Sequence, residues 1–411
     1  VSFQLGLLAV LASLLFSPVA YSDEYRTPLA GEEYHTELFG SQVEVLARDR
    51  RHVTAIDFGV QWIPNGPSGL ELLPFGSVFV WRNDDTRRFR GAFVGVYNDL
   101  QYNLGSKSWN GWETVFTFTN LTLPFGRSEY VEGRRISDVE VQWNYLFAGL
   151  GIGYRKSLPP NHQDNALEIA LTYEPGYRWF RRTSETSPSF RFPSDTYEGH
   201  VHFRLRTDAF ERNIMELLHR GFGFGGDLVY GHRTQWRRWG GVAFATPHVG
   251  REREFLAASA YAVAAGGVPF VNSERQRLIV SAYGGHGQHL DRFSAFRLPG
   301  RPTGDEWQAL SLPMLPAVAF NEFFPRRYAI ADLTYRYEVL FFLYPYIRGT
   351  YASVERARFS DNGRIKMQMG SLPAISGGVI SGAPWDSQVE INYSYNFGVF
   401  RDRDGGPRKG S

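Results

Sequence analysis

The sequence predicts an all-β chain folded as a transmembrane antiparallel β-barrel of 14 to 16 strands, and three observations carry that prediction. Thirteen segments alternate apolar and polar residues, many over longer runs than the ~5–6 residues of a soluble strand. No stretch beyond residue 22 is apolar for the ~20 residues that a membrane helix needs. Sorted by parity, the connectors are on average longer at one end of the strands than at the other, as transmembrane barrels have them.

The alternation is clearest in SQVEINYSYNFGVF, residues 387–400. Val389, Ile391, Tyr393, Tyr395, Phe397 and Val399 share one parity, while Gln388, Glu390, Asn392, Ser394 and Asn396 share the other. Strand side chains point alternately to opposite faces, so the segment has an apolar and a polar wall. In a barrel the apolar wall meets lipid and the polar wall meets the lumen. By the same reasoning Val201, Phe203 and Leu205 face lipid, whereas His200, His202, Arg204 and Arg206 face inward.

In chain order the segments are 69–82, 87–105, 112–123, 138–157, 166–182, 196–208, 221–233, 255–271 and 277–290. After a long interruption come 328–341, 345–359, 372–384 and 387–400. If the first runs outward from the periplasm, the inner turns include LGSKSWNG, SLPPNHQDN, VNSERQ and APWDS. The outer loops then include RRTSETSPSFRFPSD and the long stretch at about 297–326. Residues 53–62 are a candidate extra strand, and 127–157 is long enough to hide a hairpin. Thirteen strands that start in the periplasm end outside, so the expectation is a last strand missing after Ser411, or an extra one from residues 53–62.

Residues 1–22 read as a secretory signal peptide, with an apolar run from Leu5 to Phe16 and the small-residue pattern Ala20-Tyr21-Ser22. Residues 23–67 read as a short periplasmic segment or a plug, and 68–411 as the barrel. The 44 basic and 42 acidic residues nearly cancel, which gives no footing for a nucleic-acid partner. With no cysteine, stability must come from hydrogen bonding and packing.

The stretch FRLPGRPTGDEWQ, with NEFFPRRYAIADLTYRYEVLFFLYPYIRGTYASVE after it, resembles the C-terminal half of Omp85-type barrels, the BamA/TamA and bacterial surface antigen D15 group. The lead-in PNGPSGLELLPFGSVFVWRNDD and the hairpin DAFERNIMELLHRGFGFGGDLVYGHR are similar to elements of the same family, so the resemblance spans roughly residues 64–400. It implies a Gram-negative outer-membrane location, a non-enzymatic role in assembly or translocation, and an outer loop that folds into the lumen and carries an Arg-Gly motif. Either Arg297 or Arg301, with Gly300 between them, stands for that motif, since the loop reads Arg-Leu-Pro-Gly-Arg rather than the family's tetrad. The aspartate expected to receive the arginine is missing from PYIRGTYASVER, and Glu338 is the substitute acid. The segment before the barrel is too short for even one POTRA domain, which leaves assistance to a separately encoded periplasmic or surface-exported protein as an expected role.

Few residues argue for chemistry. A Gly-x-Ser-x-Gly elbow does not occur, since GVISG has its serine one place off. His200 and His202 share one strand face, but a second pair of metal ligands is not nearby, and lumen lining explains them. The GGHGQHLD cluster, with His286, His289 and Asp291, has the residue types of an acid–base pair; a Gly-rich loop mouth is the simpler account. Trp236, Arg237, Arg238 and Trp239 are expected at the outer membrane interface, tryptophan at headgroup level with arginine within reach of lipopolysaccharide phosphates; a generic interface girdle is the simpler account. No cofactor is expected. A diffusion porin is the nearest alternative, and a lipid-modifying outer-membrane enzyme the more distant one.

Overall fold

The computed structural model describes residues 25–64, 66–67, 70–160, 165–240, 253–298, 310–320, 322–361, 365–383, 387–403 and 406–410. These build two small hairpins, Tyr34–Leu38 with Ser41–Val45 and Phe400–Arg403 with Gly406–Lys409, and an antiparallel sheet of sixteen strands. Fifteen of them form a continuous meander: β1 (His52–Trp62), β2 (Leu72–Asn83), β3 (Arg87–Phe93), β4 (Tyr97–Leu104), β5 (Trp112–Leu121), β6 (Arg134–Ser157), β7 (Ala166–Arg181) and β8 (Thr196–Arg212). It continues through β9 (Leu218–Arg233), β10 (Glu254–Gly267), β11 (Gln276–Gln288), β12 (Arg327–Tyr337), β13 (Leu343–Phe359), β14 (Ile365–Ala383) and β15 (Ser387–Asn396). The end of the sheet bearing the β11–β12 connector is called the outer end below.

The sixteenth strand, Arg127–Val131, pairs with the start of β6 beyond the rest of the sheet. Glu132 and Gly133 join the two with φ of 51° and 83°, the positive pair that a tight type I′ hairpin requires. The 24 residues of β6 therefore do two jobs. Residues 145–154 pair with β5, while 134–141 form a hairpin with the sixteenth strand, packed against other outer connectors: Thr186 Oγ1 donates to Glu140 C=O and Arg292 Nη1 to Val139 C=O, each at 2.7 Å.

A second hairpin lies where the alternation read as one strand. Residues 87–105 divide into β3 and β4 around Gly95, whose φ is 68°, and Val94 N–H donates to Tyr97 C=O at 2.8 Å. The turn is flanked by valines and marked by one glycine, so it lacks the Asn/Asp/Pro punctuation by which turns are usually read. The sheet also begins earlier than residue 68, because β1 pairs with β2 along its whole length, from His52 opposite Arg82 to Trp62 opposite Leu72.

The sheet curls so that its polar face encloses a lumen. Arg88 of β3 bonds to Glu168 of β7, and Arg204 of β8 donates to Gln101 of β4 at 2.7 Å. The outward face is apolar: Phe58, Ile152, Phe203, Phe224, Tyr351 and Ile391 are all exposed. A soluble protein places these faces the other way round. Val201 and Phe203 point out as expected, and His202, Arg204 and Arg206 bond to lumen groups. With fifteen strands in the meander, β1 and β15 run in the same direction, and among the described residues no ladder joins them.

Candidate functional site

The lumen holds a cavity of about 1220 Å³. Among the described residues eleven arginines and six carboxylates line it, so the near-neutral chain concentrates positive charge inside. The wall charges follow from strand register. Glu168 lies opposite both Arg155 and Arg206, and it binds Arg155 at 3.1 Å and Arg88 across the lumen. Asp227 lies opposite Arg204 and receives Arg206 at 2.6 Å and His202 at 2.8 Å. Glu174 sits 3.4 Å from the other nitrogen of His202. These pairs account for His202 as wall lining, and among the described residues no cluster of ligands suits a metal.

The connector between β11 and β12 turns into this lumen. Leu310 packs with Phe210, Tyr261 and Val263, and a Cβ added at Gly223 would lie 2.7 Å from Leu310 Cδ1. Phe210 is two residues from the inner end of β8, so the connector reaches deep into the barrel. Ser311, Leu312, Pro313 and Met314 line the cavity beside it.

Arg297 enters the lumen wall, but its partners are aromatic. Its guanidinium lies 4.1 Å from the Trp143 ring centroid and 6.0 Å from that of Tyr145. Cation–π contact of this kind stabilises an enclosed guanidinium when a carboxylate is not at hand. Enclosure lowers the Arg297 pKa from the ordinary arginine value, with Tyr145 opposing that shift and the neighbouring Arg178 adding to it.

Glu338 is not the partner of Arg297. It lies in the inner connector between β12 and β13, where Thr27 Oγ1 donates to it at 2.7 Å and the Tyr25 hydroxyl also bonds to it. Burial raises the Glu338 pKa, against the pull of Tyr25, Thr27 and two arginines. The N-terminal segment is thereby laid across the inner end: Ile214 N–H donates to Pro28 C=O at 2.9 Å, and Arg50 pairs with Glu216 at 3.1 Å. Gly300 and Arg301, the other residues of the loop motif, lie outside the described residues.

At the outer end a buried ion network ties three strands to the loop. Glu198 accepts from Arg178 at 3.0 and 2.7 Å, from Arg233 at 2.7 Å and from His200 at 2.8 Å. Arg233 also donates to Asp291 at 2.7 Å. Asp291 caps its own turn by accepting from Phe293 N–H, Ser294 N–H and Ser294 Oγ. The acid of the GGHGQHLD cluster is therefore bound structurally. Glu198 and Arg233 are direct cross-strand neighbours, and nothing in the sequence alternation singled them out.

Trp236 and Trp239 correct the interface expectation. They are 4% and 1% exposed and belong to an aromatic cluster with Trp143, Phe180, Phe190 and Phe293 that roofs the outer end. Burial of this size by large aromatics dominates local packing. Arg237 and Arg238 stay exposed beside them.

No family model matches this chain, and no curated protein matches it. Among solved structures, it is similar to BamA from Haemophilus ducreyi lacking POTRA domains 1–3. There the identity is 8% and the TM-score 0.49, over 92% of this chain and 73% of that one. It is also similar to CdiB from Escherichia coli, at 12% identity and a TM-score of 0.48, over 97% of this chain and 67% of that one.

Proposed function

We propose that this chain is an outer-membrane β-barrel of Omp85 type with a non-enzymatic role: it moves other polypeptides into or across the membrane, or assists a separately encoded protein that does. The observation that carries the reading is the β11–β12 connector inside the lumen, with Leu310 against Phe210, Tyr261 and Val263. The apolar outward face around a polar lumen supports a place in lipid. Residues 1–22, outside the described residues, fit export as a signal peptide. Partners of this reading are outer-membrane lipid, lipopolysaccharide at the exposed Arg237 and Arg238, and an exported or periplasmic polypeptide, with no role for nucleic acid.

The 1220 Å³ cavity favours a diffusion porin as the second reading. Single-channel conductance in a planar bilayer separates the two, comparing the intact chain with one shortened by residues 302–314. A nearly closed intact barrel that opens on shortening supports the proposed function. Equal, high conductance of both means that the loop does not obstruct the lumen, and the porin reading replaces it.

A further inference from the structure

Two guanidinium groups line the outer part of the cavity with no carboxylate paired to them among the described residues, those of Arg127 and Arg297. The other arginines nearby are matched: Arg90 meets Asp99 at 3.2 Å, Arg178 meets Glu198 at 2.7 Å, and Arg292 lies 3.6 Å from Glu129. Arg127 instead stands over the Phe125 ring at 5.6 Å, as Arg297 stands over Trp143. Burial lowers the Arg127 pKa from the ordinary arginine value; Tyr130 opposes that shift, and the nearby cations of Arg297 and Arg292 add to it. Beside Arg297, two further buried donors, Trp143 Nε1 and Arg178 Nη1, have no hydrogen-bond acceptor among the described residues. Buried donors without acceptors are costly, and like charges enclosed together add to that cost.

The backbone that carries each guanidinium is held from behind. Arg292 Nη2 donates to the Arg127 C=O. Leu298, next to Arg297, exchanges backbone hydrogen bonds with Phe323 at 3.0 and 3.2 Å, and Phe296 N–H donates to Pro325 C=O at 3.1 Å. Groups anchored in this way lose little freedom when a ligand arrives. The same outer connectors give the cavity an apolar wall, through Val94, Val96, Leu123, Phe125 and Phe296. An apolar wall with a few placed polar groups is the make-up of a small-molecule site, and 1220 Å³ exceeds the ~300–1,000 Å³ that such sites usually occupy.

We propose that the outer part of the lumen binds an anionic amphiphile, an acidic head on a hydrocarbon chain, with the head on Arg127 and Arg297 and the chain against the apolar wall. A carboxylate or phosphate head brings the acceptor oxygens that these donors lack, in the two-pronged geometry that guanidinium favours. The hydrocarbon chain takes Val94, Val96 and Leu123 out of contact with water. The site goes beyond the transport reading and does not depend on it, because Arg127 and Arg297 lie outside residues 302–314.

The test uses the refolded chain in bilayer discs, with empty discs to subtract partition into lipid. Labelled octanoate and octyl phosphate at neutral pH are the probes, and octanol, acetate and inorganic phosphate are the controls. Both probes are expected to bind saturably, one per chain, while octanol only partitions and the two small anions bind far more weakly. Shortening octanoate to hexanoate should weaken binding about fourfold for each methylene removed. Arg297→Gln and Arg127→Gln each remove one charge-assisted contact and should weaken octanoate binding about 10-fold. The second variant keeps the test sound if the first disturbs the connector, and the gel mobility of unheated protein shows which variants fold. Retention of both probes no greater than by empty discs overturns the proposal, and so does binding unchanged by both substitutions in folded barrels. Acetate or inorganic phosphate bound as tightly as the probes overturns the amphiphile. The tighter probe identifies the source, octanoate a free fatty acid and octyl phosphate a phosphate-headed lipid, and either supports the site. If the barrel shortened by residues 302–314 fails to open while octanoate still binds through Arg127 and Arg297, the site stands without the transport reading.

Discussion

Glu198→Ala is the sharpest test of how the outer end is held together. The carboxylate side chain is wholly buried between Arg178 and Arg233, whose side chains are 4% and 0% exposed. After the substitution Arg233 keeps Asp291 at 2.7 Å. Arg178 is left with no carboxylate among the described residues, packed over Tyr145 at 5.0 Å. Its Nη1 already lacks a hydrogen-bond partner. One uncompensated buried cation costs about 3–5 kcal/mol. Replacing the pair together, as Glu198→Leu with Arg178→Met, removes both charges and is expected to lie much closer to the parent chain. The assay is urea unfolding of the refolded barrel in lipid, followed by tryptophan fluorescence and by the mobility of unheated protein on a gel. The single substitution should lower the midpoint by at least ~1 M, taking a slope of about 1–3 kcal/mol per molar urea. A single mutant within ~0.5 kcal/mol of the parent, or a double mutant worse than the single, refutes the reasoning.

Two further outcomes follow from the lumen and its inner end. With eleven arginines facing six carboxylates, the barrel shortened by residues 302–314 should pass anions in preference to cations; a reversal potential of the opposite sign in a salt gradient would count against the charge assignment. Glu338 gives a pH dependence with a definite sign. Its folded pKa is raised by burial, so the folded state holds the proton more tightly than the unfolded state does. Its contribution is thus complete below the unfolded value of ~4.3 and fades as pH rises through the folded one. Stability of the fold should accordingly fall on that rise, by less than burial alone would give because Tyr25 and Thr27 donate to the ionised carboxylate. Glu338→Gln, which stays neutral, should flatten the pH profile of the unfolding midpoint; an unchanged profile would mean that another group sets it.

The period-2 pattern was enough to say which face of each strand is wet. It put Val201 and Phe203 outside and His202, Arg204 and Arg206 inside because side-chain direction along a strand is a local property. Even so, a valine-flanked turn at Gly95 escaped it, since phase can change without a polar marker. Which inward groups meet is a different matter. Arg88 finds Glu168 across 80 residues of sequence and Gln61 finds Val318 across 257. Those distances are set by sheet register and by the curl of the whole barrel. For that reason Arg297 could be placed in the lumen from its loop, but not on Trp143. Glu338 reads in sequence as the acid for the loop arginine, whereas the fold makes it the anchor of the N-terminal segment. Trp236 and Trp239 had the composition of a membrane girdle, and only the packing of three outer connectors turned them inward. Alternation is written residue by residue, whereas the curl of the sheet and the connector within it exist only when strands far apart in the chain come together.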